Sequence, residues 1–269
     1  MKARWYERKS LSSLSTRLPR QSAPCYLYQM ILSAHQPVYW PGIILLNKIA
    51  LSDQFLFLGH VQLTLHSWQV RNRIRVRDAP LFLSVPIRKA GRFGQSIDDA
   101  EIDGDLWKRK HLETIRQNYS KRPFFSHYYP KVEALLQCDW LRLGDLNRAL
   151  IRLLLDLLEI TTPIIESRDL DLQGHKTEML ISACRAVGAD RYVSNQGARA
   201  YLDEALMAAA GVRHYWQVFE HPVYDQGGPF VPDLSVLDLL FNHGPASAAI
   251  VRSCGRLEEG QGGRGEPCP

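Results

Sequence analysis

Short apolar runs alternate with stripes of helical spacing along this chain. Residues 31–34 form a compact apolar run, 43–51 repeat at helical intervals, and 55–58 form a second run that extends toward Leu63. Strand, helix and strand follow in that order. Residues 68–87 read as extended: Arg73-Ile74-Arg75-Val76 alternates, Asp78-Ala79-Pro80 turns, and Leu81 to Val85 returns as the second arm of a hairpin. Helices are predicted over 106–119, 125–136 and 145–158, the last carrying Leu146, Leu150, Leu153, Leu154 and Leu157 on one stripe. A strand over 163–167, a helix over 176–187 closed by Gly188, and a short strand over 192–194 come next. A helix over 197–210 ended by Gly211, a strand over 212–219, and a helix over 236–241 capped by Ser235 and stopped by Gly244 complete the pattern.

Strand–helix–strand order at both ends of the chain predicts an α/β fold. Its sheet is mostly parallel and flanked by helices, three-layered and Rossmann-like, with a helical insertion over about 105–160. The domain is expected over 30–251. Beyond Val251 the Gly-, Arg- and Glu-rich stretch 252–269 reads as a disordered tail. Residues 1–29 lack an apolar face. They read as a disordered extension ahead of a working start at Met30, or as an Arg- and Ser-rich targeting segment.

Charge changes less than its total suggests. Six basic residues in 1–29 face Glu7 alone, which accounts for the whole formal net charge of +5. The expected domain is therefore neutral, and nucleic acid is not an expected partner. No apolar run approaches the ~20 residues that span a bilayer. Five widely spaced cysteines (Cys25, Cys138, Cys184, Cys254, Cys268) make no zinc or disulfide pattern and suit a reducing cytoplasm. The sequence names no cofactor and no metal.

The candidate chemistry starts at His35-Gln36-Pro37-Val38-Tyr39-Trp40-Pro41-Gly42, just past the first strand, where open α/β sheets build their sites. His35 can act as a general base, hold a phosphate oxygen, or order the loop through one hydrogen bond. Gln36 and Tyr39 add polar groups beside it. Lys48 on the first helix either reaches back to neutralise an anion or is a solvated surface lysine. Arg71, Arg73 and Arg75 would share one strand face, with Asn72 on the other. They suit bidentate anion binding or a protective basic edge, and Trp68 could stack on a ring. Ser194 precedes a helix start that could hold an anion. Tyr224 lies in a stiff Pro-rich loop with His221. Asp238 either orients His35 or His221, or favours its helix N-terminus electrostatically.

These motifs occur in order with Ser52-Asp53, Trp68-Gln69, Leu83-Ser84-Val85-Pro86, Trp107-Lys108, Tyr119, Tyr192-Val193-Ser194, Tyr201-Leu202-Asp203, His221-Pro222-Val223-Tyr224 and the Leu234–Phe241 run. Together, over about 30–245, they resemble the WbqC-like family. The resemblance implies an accessory enzyme of bacterial surface-polysaccharide (O-antigen) assembly. The expected activity is acyl or amino-acyl (glycine) transfer to a nucleotide-linked or lipid-linked sugar. His35, Lys48 and Asp238 would be catalytic. Gln36, Tyr39, Trp68, Arg71, Asn72, Arg73, Ser194 and Tyr224 would bind substrate. Where the family usually shows two acids after the second strand, this chain has Gly59-His60, and Val70 replaces an Asn. A nucleotide-activating, adenylyltransferase-like enzyme and a non-catalytic glycan- or nucleotide-binding protein are the alternatives.

Overall fold

The computed structural model describes residues 29–261. The expectations for 1–28 and 262–269 lie outside the described residues. Strand β1 (Ile31–His35) leads through helix α1 (Ile43–Ala50) to β2 (Gln54–Phe57). A separate antiparallel hairpin follows, β3 (Arg71–Val76) with β4 (Ala79–Ser84). Helices α2 (Leu106–Tyr119), α3 (Phe125–Leu136) and α4 (Leu143–Leu157) come next. The chain then returns to the main sheet at β5 (Ile164–Glu166). It continues through α5 (Thr177–Val187), β6 (Arg191–Ser194), α6 (Glu204–Ala209), β7 (Arg213–Phe219), α7 (Val236–His243), α8 (Ala246–Ser253) and β8 (Gly255–Glu259).

The six-stranded sheet has the order β5-β2-β1-β6-β7-β8, parallel throughout except for β8. Strand alternation sends successive side chains to opposite faces. Phe55 and Phe57 pack into the larger core with α1, the three inserted helices and α7. Leu32, Ala34, Leu56 and Tyr192 pack on the other face against α5 and Met207 of α6. Helices on both faces of a mostly parallel sheet make the three-layer α/β architecture that the pattern predicts.

β2 stops at Phe57, short of Leu63, and three further stretches differ from expectation. The hairpin turn is Arg77-Asp78, because Val76 pairs directly with Ala79. Arg77 takes φ 56° there, and the Arg75 guanidinium donates to Arg77 O (2.6 Å) and Asp78 Oδ1 (2.8 Å) around the turn. The single helix expected over 197–210 is divided into a 3-10 turn, Gln196–Ala200, and α6. Asp203 starts α6 afresh by accepting a bond from Leu206 N (2.9 Å), while its own N–H donates to Thr177 Oγ1 (2.9 Å). The third correction concerns the tail expected over 252–269. Its first residues close α8 and form β8, antiparallel to β7, with Tyr215 opposite Glu259 and Phe219 opposite Gly255. An edge strand needs only a half-buried pattern, so its polar composition does not prevent pairing. Gly255 is required at the start of β8, because a Cβ there would overlap the Asn47 side-chain amide.

Candidate functional site

The connections leave β1 toward β2 on one side, while β6 lies on its other side. A crevice opens at such a switch point beyond the carboxyl ends of the strands. Here it is a cavity of about 390 Å³ lined by His35 and Gln36 after β1, Leu58 after β2, and Ser194 and Asn195 at the end of β6. Lys48 enters it from α1, and Lys176, Tyr192 and Tyr201 supply further walls.

Lys48 is 3% exposed and donates to the Ala34 carbonyl at 2.9 Å. Among the described residues no carboxylate pairs with it, and the cavity lining holds two lysines and no acid. Burial pulls its ammonium down from the usual lysine range to about 7. His35 donates from Nδ1 to the Gln36 carbonyl at 2.8 Å, which leaves Nε2 as the lone-pair nitrogen. Burial first, and the Lys48 charge second, lower its pKa to about 4, against the opposing pull of the Gln36 carbonyl. A neutral base and a titrating cation therefore share one wall.

The loop after His35 is a junction. Tyr39 N donates to Trp68 O (2.9 Å), Asn72 Nδ2 to Trp40 O (2.7 Å), and Val236 N to Pro41 O (3.0 Å). Asn147 on α4 donates to both Pro37 O (3.1 Å) and Gln69 O (2.8 Å), and Gln36 accepts from Gln69. Hairpin, inserted helices and α7 are thus tied to the strand that carries His35. A second cavity of about 500 Å³ lies on this side, lined by His35, Pro41, Trp68, Asn72, Arg73 and His221 among others.

The expected site residues divide. His35, Gln36, Lys48 and Ser194 meet in the first cavity. His35, Trp68, Asn72 and Arg73 meet in the second. The remaining four lie elsewhere. Arg71 sits over the Phe82 ring (4.4 Å to the centroid) and lines a separate groove with His66 and Pro86. Arg75 is buried and donates to Gln226 O at 2.6 Å, so the three-arginine face carries one structural member. Tyr39 is fully buried, with its hydroxyl 2.8 Å from His111 Nδ1. Asp238 is fully buried on α7 and accepts from Tyr119 (2.9 Å) and Tyr224 (3.0 Å), bonded to neither His35 nor His221. Tyr119 also accepts from Arg75 N (2.8 Å), so the cluster clamps the hairpin to α7. Burial raises the Asp238 pKa, and the two phenol bonds oppose that rise. Asp238→Ala strands two buried hydroxyls and is expected to cost about 2–4 kcal/mol, read as a lower urea midpoint at unchanged slope.

Tyr192 and Lys176 were not foreseen as site residues. Tyr192 stands in a quoted motif, but nothing local to β6 reveals that β1 is its neighbour. At Gly59 of the Gly59-His60 departure there is no room for a side chain. Asp98 and Arg148 fill the space that a side chain on Gly59 would need. Arg148 bonds Asp98 and donates to Glu166 (2.6 Å), Arg152 pairs with the same Glu166 (2.7 Å), and His60 meets Ser167 Oγ (2.6 Å). The acids near this strand end are thus engaged by arginine. Gly59→Ala displaces Arg148 from a buried pair and is expected to destabilise by about 2–4 kcal/mol, checked by thermal unfolding. Among the described residues no group of three or more His, Cys, Asp or Glu could hold a metal ion, and no helix is long and apolar enough to cross a membrane.

The chain is 34% identical over 218 residues to the uncharacterised protein Rv1507c of Mycobacterium tuberculosis (strain ATCC 25618 / H37Rv), covering 80% of this chain and 94% of that one. No solved structure matches. The model of the WbqC-like protein family matches residues 36–250, from the loop after His35 into α8, and the chain belongs to that family.

Proposed function

We propose that the chain is a transferase of surface-glycan assembly. It moves a small acyl or amino-acyl group from a phosphate-activated carrier to a nucleotide-linked or lipid-linked sugar. The observation that carries this reading is Lys48, buried at the switch point without a carboxylate partner among the described residues and beside a neutral His35. A buried cation in an acid-free cavity favours an anionic ligand, because that ligand supplies the missing counter-charge.

In the proposed step a sugar hydroxyl or amine attacks the acyl carbonyl. The new bond to carbon forms as His35 Nε2 takes the nucleophile's proton, and the bond from the acyl carbon to the phosphate oxygen breaks. The phosphate leaves as an anion held by Lys48, and the His35 proton returns to solvent or to that anion. Anion binding also offsets the Lys48 charge that depresses His35, so the base strengthens once the donor is seated.

A direct test offers aminoacyl adenylates and acyl phosphates with a panel of nucleotide sugars, and reads products by mass. A sugar heavier by the acyl group, formed only with enzyme, supports the reading. ATP–pyrophosphate exchange with no transfer to any sugar would favour the adenylyltransferase-like alternative, which the strand-end His35 also suits. Ligand binding with neither reaction would leave a binding protein.

A further inference from the structure

The two cavities differ in chemistry and share His35 and Asn195. The first holds Lys48 and Lys176 and no acid. In the second the one guanidinium, that of Arg73, already faces the Asp233 carboxylate at 3.5 Å. A phosphate there would meet a neutralised arginine and a repelling carboxylate. The apolar wall is Pro41, Ile44 and Trp68, the last 47% exposed. The Arg73 guanidinium lies 5.2 Å from the Trp68 ring centroid, and its Nε is buried without a hydrogen-bond partner. Asp233 and Arg73 offer acceptors and donors to hydroxyl groups, while the buried Asn72 amide is engaged by Trp40 O and Arg73 N.

We infer that the cavity framed by Trp68, Arg73, His221 and Asp233 is the acceptor subsite and takes a neutral pyranose ring, with His35 standing between it and the anionic donor. This rests on the transfer reading above. A pyranose has an apolar C–H face that suits a half-exposed indole, and a rim of hydroxyls that suits alternating donors and acceptors. The frame is held rather than loose. Asp233 N donates to His221 Nε2 at 3.0 Å, His221 Nδ1 donates to Pro222 O at 3.0 Å, and Ser235 N donates to Arg73 O at 2.8 Å. Asp233 at φ 55° and Trp40 at φ 39° both bend the backbone into the left-handed region beside the cavity. Such conformations persist where surrounding contacts over-determine them, as at ligand clamps.

The test uses the full chain, methyl glycosides of hexoses and N-acetylhexosamines as one probe, and AMP as the other. Saturation-transfer NMR is expected to mark the pyranose ring protons, with the signal unchanged when AMP is saturating. Trp68→Ala should weaken glycoside binding by about tenfold or more. Trp68→Phe should recover much of it, and both should leave AMP affinity intact. Three results would each overturn the subsite: glycoside displaced by AMP, glycoside binding undiminished in Trp68→Ala, or no glycoside signal while AMP still binds. If instead Lys48→Met leaves AMP affinity unchanged, the transfer reading fails while a Trp68-dependent glycoside signal stands.

Discussion

His35→Gln is expected to lower turnover by about 10²–10⁴-fold, the range of a lost general base. The Gln amide keeps a donor for the Gln36 carbonyl, so the loop should stay ordered and KM should move little. The pH profile identifies the role. On the proposed mechanism the active free form needs His35 neutral and Lys48 charged. Its kcat/KM should therefore rise through about 4 and fall through about 7. Loss of the acid limb alone in His35→Gln supports the base. An unchanged profile with a small uniform loss would reduce His35 to ordering the loop.

Lys48→Met is expected to cost about 10²–10³-fold in kcat/KM, comparable to removing one preorganised stabiliser of a developing anion. The alkaline limb near 7 should disappear with it, and Lys48→Arg should shift that limb upward. Stability should move the opposite way. The folded-state pKa of Lys48 is depressed, so the unfolded chain binds more protons between about 7 and the usual lysine value of 10.5. In wild type, this group's contribution is therefore full above 10.5 and declines as pH falls toward about 7. Lys48→Met removes that slope and should unfold at higher temperature than wild type, most clearly below pH 7. A variant less stable than wild type at pH 6 would mean that the ammonium holds the fold together, against the functional assignment.

Much of the fold can be read locally. α2 and α3 begin and end where helical spacing places them. Gly188 closes α5 at φ 74°, and Ser235 caps α7. The elements missed are those whose pattern depends on a partner. α8 is an Ala- and Ser-rich helix packed on α1 and α7, and β8 becomes a strand only beside β7. The site shows the same division. His35 and Lys48 are legible because the strand end and the first helix are close in sequence. Arg71 and Arg73 share a strand face, yet one two-residue step of about 6–7 Å carries them into different grooves. Asp238 reads as an orienter of His35 or His221 or as a helix N-terminal acid, but its carboxyl is engaged by tyrosines from the α2 end and the Pro-rich loop, which sequence spacing does not reveal.

The pairing of β1 with β6 joins Ile31 to Arg191, across more than half of the chain. β1 therefore waits for a neighbour that leaves the ribosome long after it, while the hairpin and inserted helices between them are already available to fold. Such distant pairing slows folding and makes the floor of the Lys48 cavity a late product of it. A ligand seated between Lys48 and Ser194 touches both halves of that closure. It should bind only the finished chain, and so protect the whole sheet, rather than one wall, from unfolding and proteolysis.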